Sequence, residues 1–461
     1  MRKTLSVCAA LLVLPLASRA ADAPEPTETV IRMKVQAVRA PKPALKYQLL
    51  PELREMNPGN PIQAYSKCFA EQYNWWRNKE VVEKREKWQT MPLKDLPLKE
   101  IQYYRGNPLR YADYAARLDT PDWQILLQLK SEGPFLLLPD LQGLRELAGA
   151  LKVRFRMEVA EGRFDDALAT AKTMFGLSRH LGEHPSLIGE LVGMAVANLA
   201  LGPLDEMIQQ PGSPNLFWAL TNLPQPFISL RNGVQGDRTM MTSLFALIDE
   251  REPMTDAQVQ RAMVPIRRMV KDLNMKWDEH GWFDELTKDE ARLCATRKRL
   301  IEAGLAKEKV KQFSARQVIL LDEKLEFSVW RDESRKALSL PYWQAAPILA
   351  AASPRKENKH SPFRWEGPMG YDKVKQLQAR LDQRIGLLRC VEALRLYAAE
   401  HDGKLPARLA DMKLPLPVDP ITGKPFVYKL DGVTAILRGT PPAGREKTAA
   451  FNVRYEVTIA K

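Results

Sequence analysis

The chain has 461 residues, 45% of them hydrophobic and 27% charged, and a formal net charge of +13. This composition and length suit a globular protein with a large core and exclude a disordered or collagen-like chain. A basic balance fits nucleic acid, an anionic membrane surface or an acidic envelope polymer as partner.

Residues 1–20 carry a basic start at Arg2 and Lys3, an apolar run from Leu5 to Leu16, and small residues flanking Arg19. This pattern predicts a secretory signal peptide, and hence an exported protein of the periplasm or cell envelope. The apolar run is short for a membrane span, so no transmembrane helix is expected in the mature chain. Cys8 lies too early in that run, after the large Val7, to mark a lipoprotein. Without Arg2, Lys3 and Arg19 the charge is +10. Export makes nucleic acid the least expected partner. The cations are also interleaved with acids, as in "VVEKREKW" and "LAKEKVKQ", which fits solvated helix faces. Cys68, Cys294 and Cys390 remain, enough for one disulfide at most, so stability must come from the core.

Residues 21–45 are rich in Pro and Ala. Within them Ile31, Met33 and Val35 alternate with Val30, Arg32 and Lys34. That alternation fits an edge strand or a tether, and the composition favours the tether. Residues 46–352 read as a helical domain. Phe69, Tyr73 and Trp76 fall on one helical face. Leu137–Ala160 is a further amphipathic run, Gly162 interrupts it, and "RFDDALATAKTMFGLSRHLG" opens the next helix. Residues 187–201 are almost wholly apolar, with Gly189, Gly193 and Ala197 making a smooth face. Glu190, Asn198 and Pro203 favour a buried helix there over a membrane span. Another helix starts near Phe227. Thr287 and Glu290 suggest a capping box, and Gly304 a stop. One long helix is expected from about Lys307 to Lys336. Short Gly/Pro connections throughout predict antiparallel neighbours.

Residues 353–370 have linker composition. In 371–461 a helix is expected from Asp372 to about His401, stopped by "HDGKLPARL". A loop "VDPITGKP" follows, then a hairpin turning at Asp431-Gly432. "FNVRYEVTIA" sets Phe451, Val453, Tyr455, Val457 and Ile459 on one face. The expected fold is mainly α. Antiparallel helical hairpins precede a small C-terminal α+β module, a long helix on a three-stranded antiparallel sheet.

The stretch "MEVAEGRFDDALATAKTMFGLSRHLG" resembles a tetratricopeptide-type hairpin, with Gly162 at the turn and Ala167 and Ala171 at the close approach. "ALRLYAAEHDGKLPARLADM" followed by "PVDPITGKPFVY" resembles the periplasmic end of the major pseudopilin of type II secretion systems. That likeness covers about 50 residues and carries fold without function. No long apolar N-terminal helix after a peptidase site is present, so a pilus subunit is not implied. The phrases "LIGELVGMAVANLAL", "SPNLFWALTNLPQPFISLR" and "LPYWQA" are similar to a group of large exported bacterial proteins. That resemblance implies no activity and no catalytic residues.

His180, Glu183 and His184 spell H-x-x-E-H, an inverted zinc-peptidase pattern that would need both imidazoles on one helical face. Gly182 and Pro185 point instead to a helix ending inside the motif. "YNWWRNKEVVEKREKW" could stack sugars or bases, but Tyr73 and Trp76 at helical spacing fit core better. Asp419 could meet a calcium ion, though an acid bonding its own turn is the commoner use. The chain has no G-x-S-x-G, C-x-x-C, G-x-G-x-x-G or Walker pattern. No catalytic, cofactor-binding or metal residue is therefore assigned, and no cofactor is expected. The leading expectation is a non-enzymatic interaction or scaffold protein whose partner is a protein or envelope polymer. The alternative is a metal- or carboxylate-dependent hydrolase of envelope polymer or peptide. A third is a structural envelope component that self-associates through its helices.

Overall fold

The computed structural model describes residues 27–106, 108–272, 277–352, 361–362 and 370–460. The expected signal peptide and nearly all of the expected linker lie outside them.

The described chain is mainly helical. Helices α1 (Pro61–Glu71), α2 (Tyr73–Arg77), α3 (Lys79–Trp88), α4 (Leu98–Ile101), α5 (Arg110–Ala115) and α6 (Leu126–Glu132) come first. Asn60 caps α1 by accepting from the Ile62 amide, with Pro61 at the first helical position. The expected face of Phe69, Tyr73 and Trp76 is cut at Gln72, between α1 and α2. Trp76 turns inward and its indole N–H donates to the Cys68 carbonyl at 2.8 Å, while Tyr73 is left exposed.

Three long helices follow and pack together: α7 (Pro139–Ala160), α8 (Phe164–Gly182) and α9 (Leu187–Met207). Gly162 turns the chain between α7 and α8 at φ +72°, a conformation glycine adopts without steric cost. Ser186 caps α9 by accepting from the Gly189 amide. Gly193 lets α9 lie close on α8, since a Cβ there would stand 3.0 Å from the Ser178 carbonyl. The Ser178 hydroxyl donates across this contact to the Gly193 carbonyl at 2.7 Å. Helix α9 is long and apolar enough to cross a membrane by length and composition, yet it is mostly buried within the protein. Its apolar surface faces neighbouring helices on nearly all sides, the pattern of a central core helix.

Helices α10 (Phe217–Thr221) and α11 (Arg231–Thr242) lead to a second core. It is built from α12 (Asp256–Asp272), α13 (Glu279–Lys288), α14 (Glu290–Glu302), α15 (Lys307–Gln312) and α16 (Ala315–Arg335). Val259, Met263, Ile266, Trp282 and Val318 are buried in it. Two expectations are corrected here. The cap of α14 is Asp289, whose carboxylate accepts from the Arg292 amide, whereas Thr287 bonds within α13. The expected single helix from 307 to 336 is broken at Phe313 and Ser314. Phe313 is extended and buried, and the Ser314 hydroxyl caps α16 through the Gln317 amide.

Helix α17 (Tyr342–Ala351) precedes α18 (Tyr371–Glu400), which is covered on almost every side. Beside α18 lies a four-stranded mixed sheet of order β1-β4-β3-β2. Its strands are β1 (Thr29–Val35), β2 (Val427–Asp431), β3 (Thr434–Arg438) and β4 (Val453–Ile459). The expected sheet had three antiparallel strands. The fourth is the segment expected to be a tether, which runs parallel to β4 with Ile31 opposite Tyr455 and Met33 opposite Val457. Met33 and Val35 are buried there, and Arg32 meets Glu456 at 3.0 Å. The hairpin loop is Gly432-Val433, one residue later than expected, because Asp431 still pairs with Thr434. One buried cluster runs from Met33 through α7–α9 to α18, Tyr455 and Val457. The long helix and its sheet therefore share the core of the preceding helices.

Candidate functional site

Helix α8 ends at Gly182, inside the H-x-x-E-H motif. His180 is the last motif residue on its face. The Glu183 and His184 amides close the end by donating to the His180 and Leu181 carbonyls. The His180 ring is buried between the Tyr65 hydroxyl, 3.1 Å from Nδ1, and the Leu118 carbonyl, 3.0 Å from Nε2. Nε2 also lies 3.2 Å from the Arg179 guanidinium, so both ring nitrogens are engaged by protein groups. Burial, reinforced by the neighbouring Arg179 guanidinium, pushes this imidazole down to about 3, and it is held neutral. His184 points elsewhere. Its Nδ1 lies 2.8 Å from the Ser186 hydroxyl and its ring stands edge-on to Trp123 at 4.5 Å. Burial pushes it down to about 4. The two imidazoles are thus spent in separate packing contacts. Among the described residues no group of three or more His, Cys, Asp or Glu is placed to hold a metal.

The nearest unusual carboxylate is Glu190, in the first turn of α9. It is fully buried, and its Oε1 accepts from the Gly233 amide at 2.6 Å. Its Oε2 has no partner among the described residues. Burial raises the carboxyl to about 8. A Cβ on Gly233 or Gly236 would collide with Glu190 or with the Pro185 carbonyl. Helix α11 therefore reaches the start of α9 only because both positions are glycine. Sequence reasoning marked Glu190 as an acid in an apolar helix, but Gly233 lies 43 residues away.

Several other buried charges join elements. Arg154 of α7 binds both oxygens of Asp113 of α5, at 2.8 and 2.6 Å, and meets the Thr170 hydroxyl of α8. That hydroxyl donates to Glu158, whose carboxyl burial raises to about 7. Arg384 of α18 binds Asp205 of α9 at 2.8 Å and the Tyr455 hydroxyl of β4, which itself donates to Asp205. Arg395 pairs with Glu392 at 3.0 Å, both fully buried, and donates to the carbonyls of Gln36, Ser213 and Pro214. Sequence alone offers no signal for the first two pairs, because Arg154 and Asp113 lie 41 residues apart and Arg384 and Asp205 lie 179 apart. Arg395 and Glu392 are three apart on one helix, and only their burial is hidden from the sequence.

The aromatic-basic stretch divides. Trp76 and Trp88 are buried, and Arg85 stacks on Trp76 at 4.9 Å. Trp75 is half-buried against Tyr103 and Tyr104. Asp419 is buried in its turn. One carboxylate oxygen accepts from the Ile421 amide and from Gln383 of α18, and the other accepts from the Thr440 amide. It pins the loop to helix and sheet. Cys68, Cys294 and Cys390 are unpaired, and burial pushes the Cys68 and Cys390 thiols up to about 12. Such thiols are poor nucleophiles.

The outer surface differs from this polar interior. Between residues 126 and 137, Leu126, Leu127 and Leu137 are 63%, 79% and 65% exposed. They sit on α6 and the turn that follows it, beside α11. No family model matches the chain, and no curated protein or solved structure matches it either.

Proposed function

We propose that this chain is an exported, non-enzymatic interaction or scaffold protein of the periplasm or cell envelope, and that its partner is a protein. The observation that supports this reading is the leucine-rich surface at Leu126, Leu127 and Leu137. Three large apolar side chains exposed within one short segment are costly in water and suit contact with another apolar surface. The tetratricopeptide-like hairpin and pseudopilin-like tail read from the sequence agree with a helical binding scaffold. Neutral, hydrogen-bonded His180 and His184 agree with a structural use of the motif.

The test is cross-linking in the native envelope, followed by recovery of the tagged chain. Recovery of one stoichiometric protein partner is expected, together with its loss from a Leu126→Glu/Leu127→Glu variant that retains the parent's thermal stability. The same partner on that variant, or envelope polymer alone on the parent, would defeat the proposal.

A further inference from the structure

Strand β2 is the outer strand of the sheet at the end away from β1. Val427, Lys429 and Asp431 are exposed on one face, and Tyr428 and Leu430 are half-buried on the other. Asp431 pairs with Thr434 around a two-residue loop, so the Thr434 amide donates to the Asp431 carbonyl. Hydrogen-bonded pairs in an antiparallel ladder recur at every second residue, which assigns Lys429 with Ile436 and Val427 with Arg438 to the same class. The N–H and C=O groups of Tyr428 and Leu430 therefore point away from the sheet. No backbone group of the described residues pairs with them. An uncovered row of this kind is a template for another strand.

The side chains on this edge restrict what can pair with it. A register slip by one residue would bring exposed and half-buried faces together, so acceptable two-fold registers move in steps of two. Centring the axis on Lys429 sets two lysines against each other, which is repulsive. Centring it on Tyr428 sets Lys429 opposite Val427 and Asp431 opposite Pro425, so that neither charge finds an opposite one. Centring it on Leu430 sets Lys429 opposite Asp431 twice. Leu430 then meets Leu430, with its free N–H and C=O both aimed across. A lysine on an edge ordinarily opposes pairing. In this register it finds the opposite charge.

We propose that two copies of the chain join antiparallel along β2, about a two-fold axis at Leu430, so that two four-stranded sheets become one continuous sheet. This goes beyond the leucine surface of α6 and stands whether or not that surface binds a partner.

Sedimentation of the purified full chain across about 1 to 100 µM tests it, a span that brackets affinities typical of modest interfaces. The parent is expected to pass from monomer to dimer. Lys429→Glu alone and Asp431→Lys alone should each weaken dimerisation about tenfold or more, since each turns two attractions into two repulsions. The double variant Lys429→Glu/Asp431→Lys should return to the parent's affinity. Neither side chain takes part in an ion pair within the described chain, so folding is expected to survive the exchange. A parent that stays monomeric, singles that dimerise like the parent, or a double variant with no recovery would each overturn the proposal.

Discussion

Glu190 occupies a position where a negative charge would favour the helix dipole, yet burial outweighs it and raises the carboxyl to about 8. The consequence for stability has a definite sign. Between the ordinary carboxylate range and about pH 8 the folded chain holds a proton that the unfolded chain has released. Folding therefore weakens as pH rises through that window. Glu190→Gln keeps an oxygen for the Gly233 amide and removes the titration. Denaturant melts should show the variant and parent alike near pH 4, with the variant more stable near pH 9 by roughly 2–4 kcal/mol. A variant no more stable than the parent at the alkaline end would show that Glu190 is solvated. At this scale the sequence was informative about the H-x-x-E-H motif. Gly182 and Pro185 are local signals, and the helix ends where they say. The partners Tyr65, Leu118 and Trp123 come from other elements and leave no local trace.

Among the elements, β1 carries the largest departure from expectation. Its alternation of Ile31, Met33 and Val35 was visible, but its partner strand lies more than 400 residues away in sequence. Local pattern cannot tell a strand with a distant partner from an extended tether, because both keep the same backbone. Amide exchange distinguishes them. The β1 amides that bond to β4 should exchange on the same slow scale as those of β4 itself. Exchange at the unprotected rate throughout Thr29–Val35 would return the segment to a tether. The break between α15 and α16 has a different cause. The charged pattern of 307–336 continues through it, and only Phe313 turning into the second core, with Ser314 as cap, divides the helix.

At the scale of the whole molecule, the described residues form two large buried clusters, and the partly buried Trp330 packs against both. The first spans β1, α7–α9, α18 and the sheet, and the second spans the residues from Met241 to Phe327. Contacts within each exceed those between them, so local stability should divide the same way. Ile266→Ala removes a fully buried side chain from the second core at a cost of about 2–5 kcal/mol. Hydrogen exchange should quicken across α12–α16 and stay unchanged in α8 and α9. Equal quickening in both would mean that the chain unfolds as one cooperative unit.

Helix content, the ends at Gly162, Gly182 and Gly304, and the long α18 followed by a hairpin were all readable from residues near in sequence. They depend on periodicity, on positive φ and on capping, which act within a few residues. Tertiary structure decided the rest. It made β1 a strand by supplying β4, moved the hairpin loop to Gly432-Val433 by extending the β2–β3 ladder, and cut the α1 face at Gln72 so that Trp76 could turn inward. It also chose which charges to bury. Arg154 with Asp113, Arg384 with Asp205 and Arg395 with Glu392 pair inside the protein because neighbouring donors and acceptors from packed elements replace water. That replacement depends on distance in space, which separation along the chain does not encode.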